Sequence, residues 1–203
     1  MHAIYMGNER LLVKPVYGGK LIVPSADLSI TPELVMHGAM EWPLMKYLEN
    51  HVKKGHVLVD IGANVGYFTV FLAHLTGPSG QVYAYEPHPL LFSFLQDNVA
   101  LNYLHDRVRL YPQAVSSSSA PLQFQASQRY MGNSSVNKHS QQYFKHYRDD
   151  ISEFETEAIR LDDALAHLPH IDMIKVDIEG GEYQAFLGME QLLEHNVKCV
   201  VFE

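Results

Sequence analysis

Three short clusters in this chain carry residue types that could do chemistry at strand ends. The first is Val57-Leu58-Val59-Asp60-Ile61-Gly62-Ala63-Asn64-Val65-Gly66-Tyr67-Phe68-Thr69. An apolar run ending in an acid reads as a strand terminus. Gly62 and Gly66 then allow a tight turn and a close backbone approach to a ligand, where a Cβ would collide. From Val65 the pattern turns helical, so the free N–H groups of the first turn face the same crevice. A strand, a glycine loop and a helix in that order build a nucleotide pocket at the carboxyl edge of a sheet. In the second cluster Glu86 closes the run Val82-Tyr83-Ala84-Tyr85, and Pro87 fixes the turn after it. A carboxylate about 20 residues past a glycine loop is placed to accept both ribose hydroxyls. The third cluster is Ile174-Lys175-Val176-Asp177-Ile178-Glu179-Gly180-Gly181-Glu182, another charged strand end of the kind where α/β enzymes place reactive groups.

The type of nucleotide follows from charge. The loop reads D-x-G-x-N-x-G, unlike the dinucleotide pattern G-x-G-x-x-G, and its Asp60 would sit beside a pyrophosphate. S-adenosylmethionine presents an ammonium and a sulfonium where NAD presents two phosphates, so Coulomb attraction favours the methyl donor. The expected cofactor contacts are Asp60, Gly62, Ala63, Asn64, Gly66, Tyr67 and Phe68 at the loop, with Glu86 and Pro87 at the second strand end. Gln113 and Ala114, after the third strand, are expected at the adenine edge, against the alternative of a plain loop. Two rivals to the whole pocket are a structural turn that binds nothing and an NAD(P)-dependent oxidoreductase.

For a methyl acceptor with a hydroxyl, Asp177 or Glu179 is the expected general base, and Lys175 could pair with one of them and keep it ionised. The bland alternative for this cluster is a solvated charged loop. His88 and His139 are competing bases, although twelve histidines in one chain make a chance His near any pocket ordinary. No metal is expected. Asp177, Glu179 and Glu182 could hold Mg²⁺, but their spacing is not diagnostic.

The elements that must position these clusters alternate. Val57 to Asp60, Gln81 to Tyr85, Arg107 to Leu110, Ile171 to Val176 and Val197 to Phe202 read as strands with helical stretches between several of them. Such alternation predicts an α/β fold with a mostly parallel sheet covered by helices on both faces. Residues 1–50 read as a short β/α N-terminal cap, and residues 51–203 as the nucleotide-binding domain. In the cap, Leu11 to Tyr17 and Lys20 to Val23 flank the turn signal Gly18-Gly19. After Pro32 a single helical face is expected through Leu34, Val35, Met40, Leu44, Met45 and Leu48, despite Pro43. Regularity fails between Ser116 and Ala158, apart from a strand at Leu122 to Gln125. A polar stretch of that length suits a lid or binding loop. Tyr130, Tyr143, Phe144 and Tyr147 there could stack on an acceptor ring, or simply pack as a folded-over hydrophobic loop.

Composition narrows the partners. Apolar residues make up 47% and charged residues 19%, ordinary values for a folded globular chain. A net charge of -8 with no basic run disfavours a nucleic-acid substrate. No stretch is long and apolar enough for a bilayer span, the N-terminus has no signal-like block, and the one cysteine, Cys199, reads as a buried small hydrophobe. A cytoplasmic enzyme is the expectation.

Taken together, Asp60 to Phe68 (D-I-G-A-N-V-G-Y-F), Tyr85 to Pro89 (Y-E-P-H-P), Arg160 to Leu165 (R-L-D-D-A-L) and Ile174 to Glu182 (I-K-V-D-I-E-G-G-E) resemble the FkbM-type methyltransferase family. The resemblance implies a class I methyltransferase Rossmann-like fold, S-adenosylmethionine as donor and O-methylation of a sugar, polyketide or other secondary metabolite. The class I sheet has seven strands, whereas Val200-Val201-Phe202-Glu203 falls where the fifth belongs. The expectation is a sheet lacking its last two strands, with an exposed edge through which the chain could form a homodimer. A truncated fold that binds nucleotide or a partner without turnover is the rival class.

Overall fold

The computed structural model describes residues 3–134 and 149–202. It opens with a three-stranded antiparallel sheet, β1 (Ala3–Gly7), β2 (Arg10–Val13) and β3 (Leu21–Pro24), followed by α1 (Thr31–His37) and α2 (Trp42–His51). The main fold then alternates β4 (Val57–Ile61), α3 (Tyr67–Thr76), β5 (Gln81–Tyr85), α4 (Pro89–Leu101) and β6 (Val108–Tyr111). Next come β7 (Ala114–Val115), β8 (Leu122–Ser127), β9 (Ile151–Thr156), β10 (Ala158–Ile159), α5 (Leu161–Ala164), β11 (Met173–Val176), α6 (Glu182–Leu187), α7 (Glu190–His195) and β12 (Val200–Phe202).

The five-stranded sheet runs β6-β5-β4-β11-β12 with every pairing parallel. Strands in a parallel sheet are buried on both faces, which is why they read as nearly unbroken apolar runs. One face buries Leu58, Val82 and Ala84 against Phe71, Leu95 and Val99 of α3 and α4. The other buries Val59, Ile61, Tyr83, Tyr85, Ile174 and Val176 against Leu161, Ala185 and Leu192 of α5, α6 and α7. The α/β class, the parallel sheet and the helices on both faces are as the sequence predicts. Strand order reverses between β4 and β11, and such a switch point leaves a crevice at the carboxyl ends of the strands.

The N-terminal elements share the first of these apolar clusters through Val13, Leu21, Ile22, Val23 and Leu34. Asn98 of α4 and Asn102 at its C-terminal cap fasten β3 and the preceding Lys20 to it. Asn98 accepts from Ile22 N at 2.6 Å and donates to Ile22 O at 2.8 Å, while Asn102 accepts from Lys20 N at 3.0 Å and donates to Lys20 O at 2.7 Å. Residues four apart at the end of α4 therefore meet residues two apart at the start of β3, and side-chain amides take the place of a missing neighbour strand.

Three differences from expectation have local causes. The helical run after Pro32 is two helices, because Gly38 ends α1 in a left-handed turn (φ 67) and α2 restarts with Pro43 in its first turn. The hairpin from Leu21 backward gains the further strand β1. The stretch expected to be irregular contains β9, paired antiparallel with β8 in the register Phe124↔Phe154. Half of β9 is exposed, with only Thr156 buried, so it lacks the apolar signature of a core strand. Among the described residues no helix is long and apolar enough to cross a membrane.

Candidate functional site

A cavity of about 410 Å³ opens at the carboxyl ends of β4, β5 and β11, within the ~300–1,000 Å³ range of small-molecule pockets. Gly62, Ala63, Asn64, Tyr67, Phe68, Glu86, Pro87, Gln113, Ala114, Lys175, Asp177 and Glu179 all line it. The structure thus brings the three sequence clusters, carried on separate strands, to one space.

The glycine loop is shaped by what it touches. Gly62 N and Ala63 N both donate to Tyr85 O at 3.0 Å, which ties the loop to the end of β5. Gly62 has φ +80, and a Cβ built there would lie 1.8 Å from the Asp177 carbonyl oxygen. Only glycine lets the loop cross the end of β11 at that distance. Asn64 takes φ 52, and its side chain accepts from Val65 N at 2.8 Å. Gly66, expected to contact cofactor, does not line the cavity; it packs on α4, where an added Cβ would meet Leu95 Cδ1 at 2.6 Å. Its absence of side chain serves the approach of α3 to α4.

Asp60 also differs from expectation, since it is fully buried and is not among the lining residues. Alternation along β4 turns Leu58 and Asp60 toward α3, and Thr69 Oγ1 donates to Asp60 Oδ2 at 2.6 Å. Register pairs Asp60 with Lys175, whose Nζ lies 3.4 Å from Asp60 Oδ1 and 3.4 Å from Asp177 Oδ2. Lys175, 3% exposed in its side chain, also stands 5.1 Å from the Phe68 ring centroid. Burial pulls its ammonium down, but the carboxylates of Asp60 and Asp177 more than reverse this and hold its pKa above the usual value. Asp60 thus acts on the cavity through Lys175, which lines it together with Asp177.

Glu86 sits at the tip of β5, 5% exposed. Its Oε2 accepts from Asn64 N at 2.7 Å and its Oε1 from His88 N at 2.8 Å. Burial pushes its carboxyl up to about 7, the two backbone donors opposing that rise. A carboxylate held this way keeps lone pairs for further donors.

Of the rival groups, His88 caps α4, its Nδ1 accepting from Leu90 N at 3.2 Å, and stands edge-on to Phe154 at 5.5 Å, outside the cavity lining. His139, Tyr143, Phe144 and Tyr147 lie outside the described residues. Glu182 Oε1 accepts from Ile178 N and Gly180 N at 3.2 Å each, closing the turn after β11. Among the described residues no group of three or more His, Cys, Asp or Glu could hold a metal ion.

Sequence reasoning missed the opposite wall. Ser29, Ile30, Met40 and Glu41 from the N-terminal segment line the cavity, as do Phe124 of β8 and Met131 and Gly132. Asp27, 1% exposed, binds the two parts of this wall together. Its carboxylate accepts from Ser29 N and Oγ, Ile30 N, Thr31 N and, across the chain, Met131 N at 3.0 Å. The only local signal is the spacing Asp27-x-Ser29, an Asx-turn pattern that names no distant partner.

Residues 60–203 match the family model described as the Methyltransferase FkbM domain. The 31-O-demethyl-FK506 methyltransferase FkbM of Streptomyces tacrolimicus is 28% identical over 180 residues, 77% of this chain and 69% of that protein. Methyltransferase sdnD of Sordaria araneosa is 28% identical over 169 residues, 72% of this chain and 65% of its own length. The chain spans about two thirds of the length of these curated relatives. Among solved structures, that of M. jannaschii TYW2 in complex with AdoMet is similar with a TM-score of 0.41 and 25% identity, over 53% of this chain and 45% of that one.

Proposed function

This chain belongs to the FkbM-domain methyltransferases, and from that premise we propose that it transfers the methyl group of S-adenosylmethionine to a hydroxyl of a small molecule, a sugar or secondary metabolite. The observation that carries the reading is the convergence on one cavity of the tight Gly62 loop, the Glu86 carboxylate and the Lys175–Asp177 pair. The lining chemistry fits the donor: a carboxylate at the tip of β5 for ribose hydroxyls, and acids in excess over Lys175 for a ligand bearing positive charge. Bound there, S-adenosylmethionine supplies an electrophilic methyl carbon whose leaving group needs no proton. A small neutral acceptor accords with the net charge of -8 and with the FK506-type substrate in the name of one relative.

In this reading the chain mainly aligns the reactants, an effect that can supply ~7–11 kcal/mol. The Gly62 loop and Glu86 fix the donor, while Asp177, held by Lys175, takes the hydroxyl proton. Glu179 is the alternative base on the same wall. Replacing Asp177 by Asn is expected to lower kcat by about 10²–10⁴ and to leave affinity for S-adenosylhomocysteine nearly unchanged. Near-normal turnover in both Asp177→Asn and Glu179→Gln would remove the assignment.

The raised pKa of Glu86 gives a second test. Only its ionised form accepts from two hydroxyls, so affinity for S-adenosylhomocysteine should increase as pH climbs through about 7. The sign for folding is opposite. Between the ordinary carboxylate value and about 7 the folded state binds more protons than the unfolded one, so the Glu86 contribution to stability falls with rising pH. Calorimetry across that range should show Glu86→Gln binding about 10–100-fold more weakly at high pH and without the pH step. No measurable affinity of the wild type for the donor or its demethylated product would end the proposal.

A further inference from the structure

The cavity has two chemically different sides. The strand tips present Asn64, Glu86, Lys175 and Asp177, whereas the facing wall presents Ile30, Met40, Leu122, Phe124 and Met131. Phe124 and Met131 are each 7% exposed, and the Phe154 ring stands behind Phe124 at 5.2 Å. Among the described residues that line the cavity from 29–41 and 122–134, Glu41 alone is charged.

The polar groups at the centre of this wall are committed to one another. Asp27 accepts from Ser29 N at 3.1 Å, Ile30 N at 2.9 Å, Thr31 N at 2.8 Å and Met131 N at 3.0 Å. Ser29 Oγ donates to Asp27 Oδ1 at 2.5 Å and accepts from Gly132 N at 2.9 Å. Ser134 Oγ donates to Met131 O at 2.8 Å and accepts from Ser127 N at 3.2 Å. Leu28 N donates to Arg129 O at 2.6 Å. Both hydroxyl protons, and the amide protons of residues 28–31, 131 and 132, are therefore spent inside the protein. The two segments are also pressed together, since a Cβ added at Gly132 would stand 3.0 Å from Ser29 Oγ. What this clasp turns toward a ligand is its apolar side chains.

Resting on the donor reading above, we propose that the Met131–Ser134 turn, held by Asp27 and Ser29, is the acceptor-selecting wall, and that it selects an uncharged alcohol with an apolar ring against a free sugar. The donor takes the polar strand tips, which leaves the facing wall for the acceptor. A sugar carries hydroxyls around its whole rim, and each one buried against Met131, Phe124 or Ile30 loses its water without gaining a partner. An alicyclic alcohol keeps its one hydroxyl for Asp177 and lays its hydrocarbon on the wall. Met131 and Phe124 make the contact, and Asp27 is a positioning residue that acts through Met131.

The test loads the protein with saturating S-adenosylhomocysteine and titrates in two probes of similar size, menthol and methyl glucoside, by calorimetry. Menthol is expected to bind at one site per chain, at least about tenfold more tightly than the glucoside. Met131→Asn and Asp27→Asn should each weaken menthol about tenfold while S-adenosylhomocysteine stays within about twofold of the wild type. That split separates a selecting wall from a general loss of structure, which would weaken both ligands together. The two-probe comparison needs no variant and stands if either substitution prevents folding. Binding of the glucoside as tight as that of menthol, binding of neither probe, or menthol affinity unchanged in Met131→Asn would overturn the proposal. Failure of S-adenosylhomocysteine to bind the wild type would overturn the donor reading itself.

Discussion

Gly62→Ala is expected to abolish measurable binding of S-adenosylhomocysteine and to lower the melting temperature by about 6–12 °C. The new Cβ would stand 1.8 Å from the Asp177 carbonyl oxygen, a backbone atom that cannot swing aside. Neither partner can retreat. Gly62 N is bonded to Tyr85 O at 3.0 Å, and Asp177 N is bonded to Ile61 O at 3.1 Å. The left-handed backbone adds ~1–2 kcal/mol to an overpacking cost of ~1–3 kcal/mol. A total near 3 kcal/mol corresponds to the stated shift for a chain of this length. Gly18→Ala separates the two terms, because Gly18 has φ +92 but nothing within 4 Å of an added Cβ. It should lose only the backbone part and bind ligand normally. A Gly62→Ala protein that melts with the wild type and binds S-adenosylhomocysteine equally would show that the loop is not pressed against β11 as described.

The second large effect is expected at Lys175. Lys175→Met keeps an apolar stem against Phe68 but strands Asp60, which is 0% exposed and retains one side-chain hydrogen bond, from Thr69. Removing one partner of a buried ion pair costs ~3–5 kcal/mol, because the remaining charge stays dehydrated. Asp177 suffers less, with 26% of its side chain exposed to water. The double variant Asp60→Asn/Lys175→Met should therefore recover much of the loss, since the amide carries no charge. Urea unfolding of the four proteins in the cycle gives the coupling directly. A single variant as stable as the wild type, or a double variant no better than the single, would contradict the description of this trio.

The parts of the site that were legible in the sequence are those fixed by neighbouring backbone. Gly62 and Asn64 are needed by left-handed turns, and Glu86 and Asp177 follow the strand ends of β5 and β11 directly. Asp60 was read as touching ligand because its type and place suit one. Its true direction depends on the parity of β4 and on the register that sets it beside Lys175, 115 residues away, and neither is written locally. The same holds for the second wall. Ser29, Met40 and Glu41 reach the cavity through contacts distant in sequence, such as those of Asn98 and Asn102 with Ile22 and Lys20, some 80 residues away, and of Asp27 with Met131. β9 was missed for a different reason: Ser152, Glu153 and Glu155 are exposed in a hairpin whose partner strand, not its own pattern, defines it.

The Asp27 carboxylate has a consequence for how such a cavity can diverge. One side of the pocket is built within residues 60–203, the other largely by a preceding segment whose cross-chain bonds at the wall include Asp27 to Met131 N, Ser29 Oγ to Gly132 N and Leu28 N to Arg129 O. Substitutions at Ile30, Met40 or Gly132 can recontour one half while the glycine loop and Glu86 are left untouched, provided the latch at position 27 survives. Pocket shape is thereby a separately adjustable trait, inherited apart from the loop that it faces.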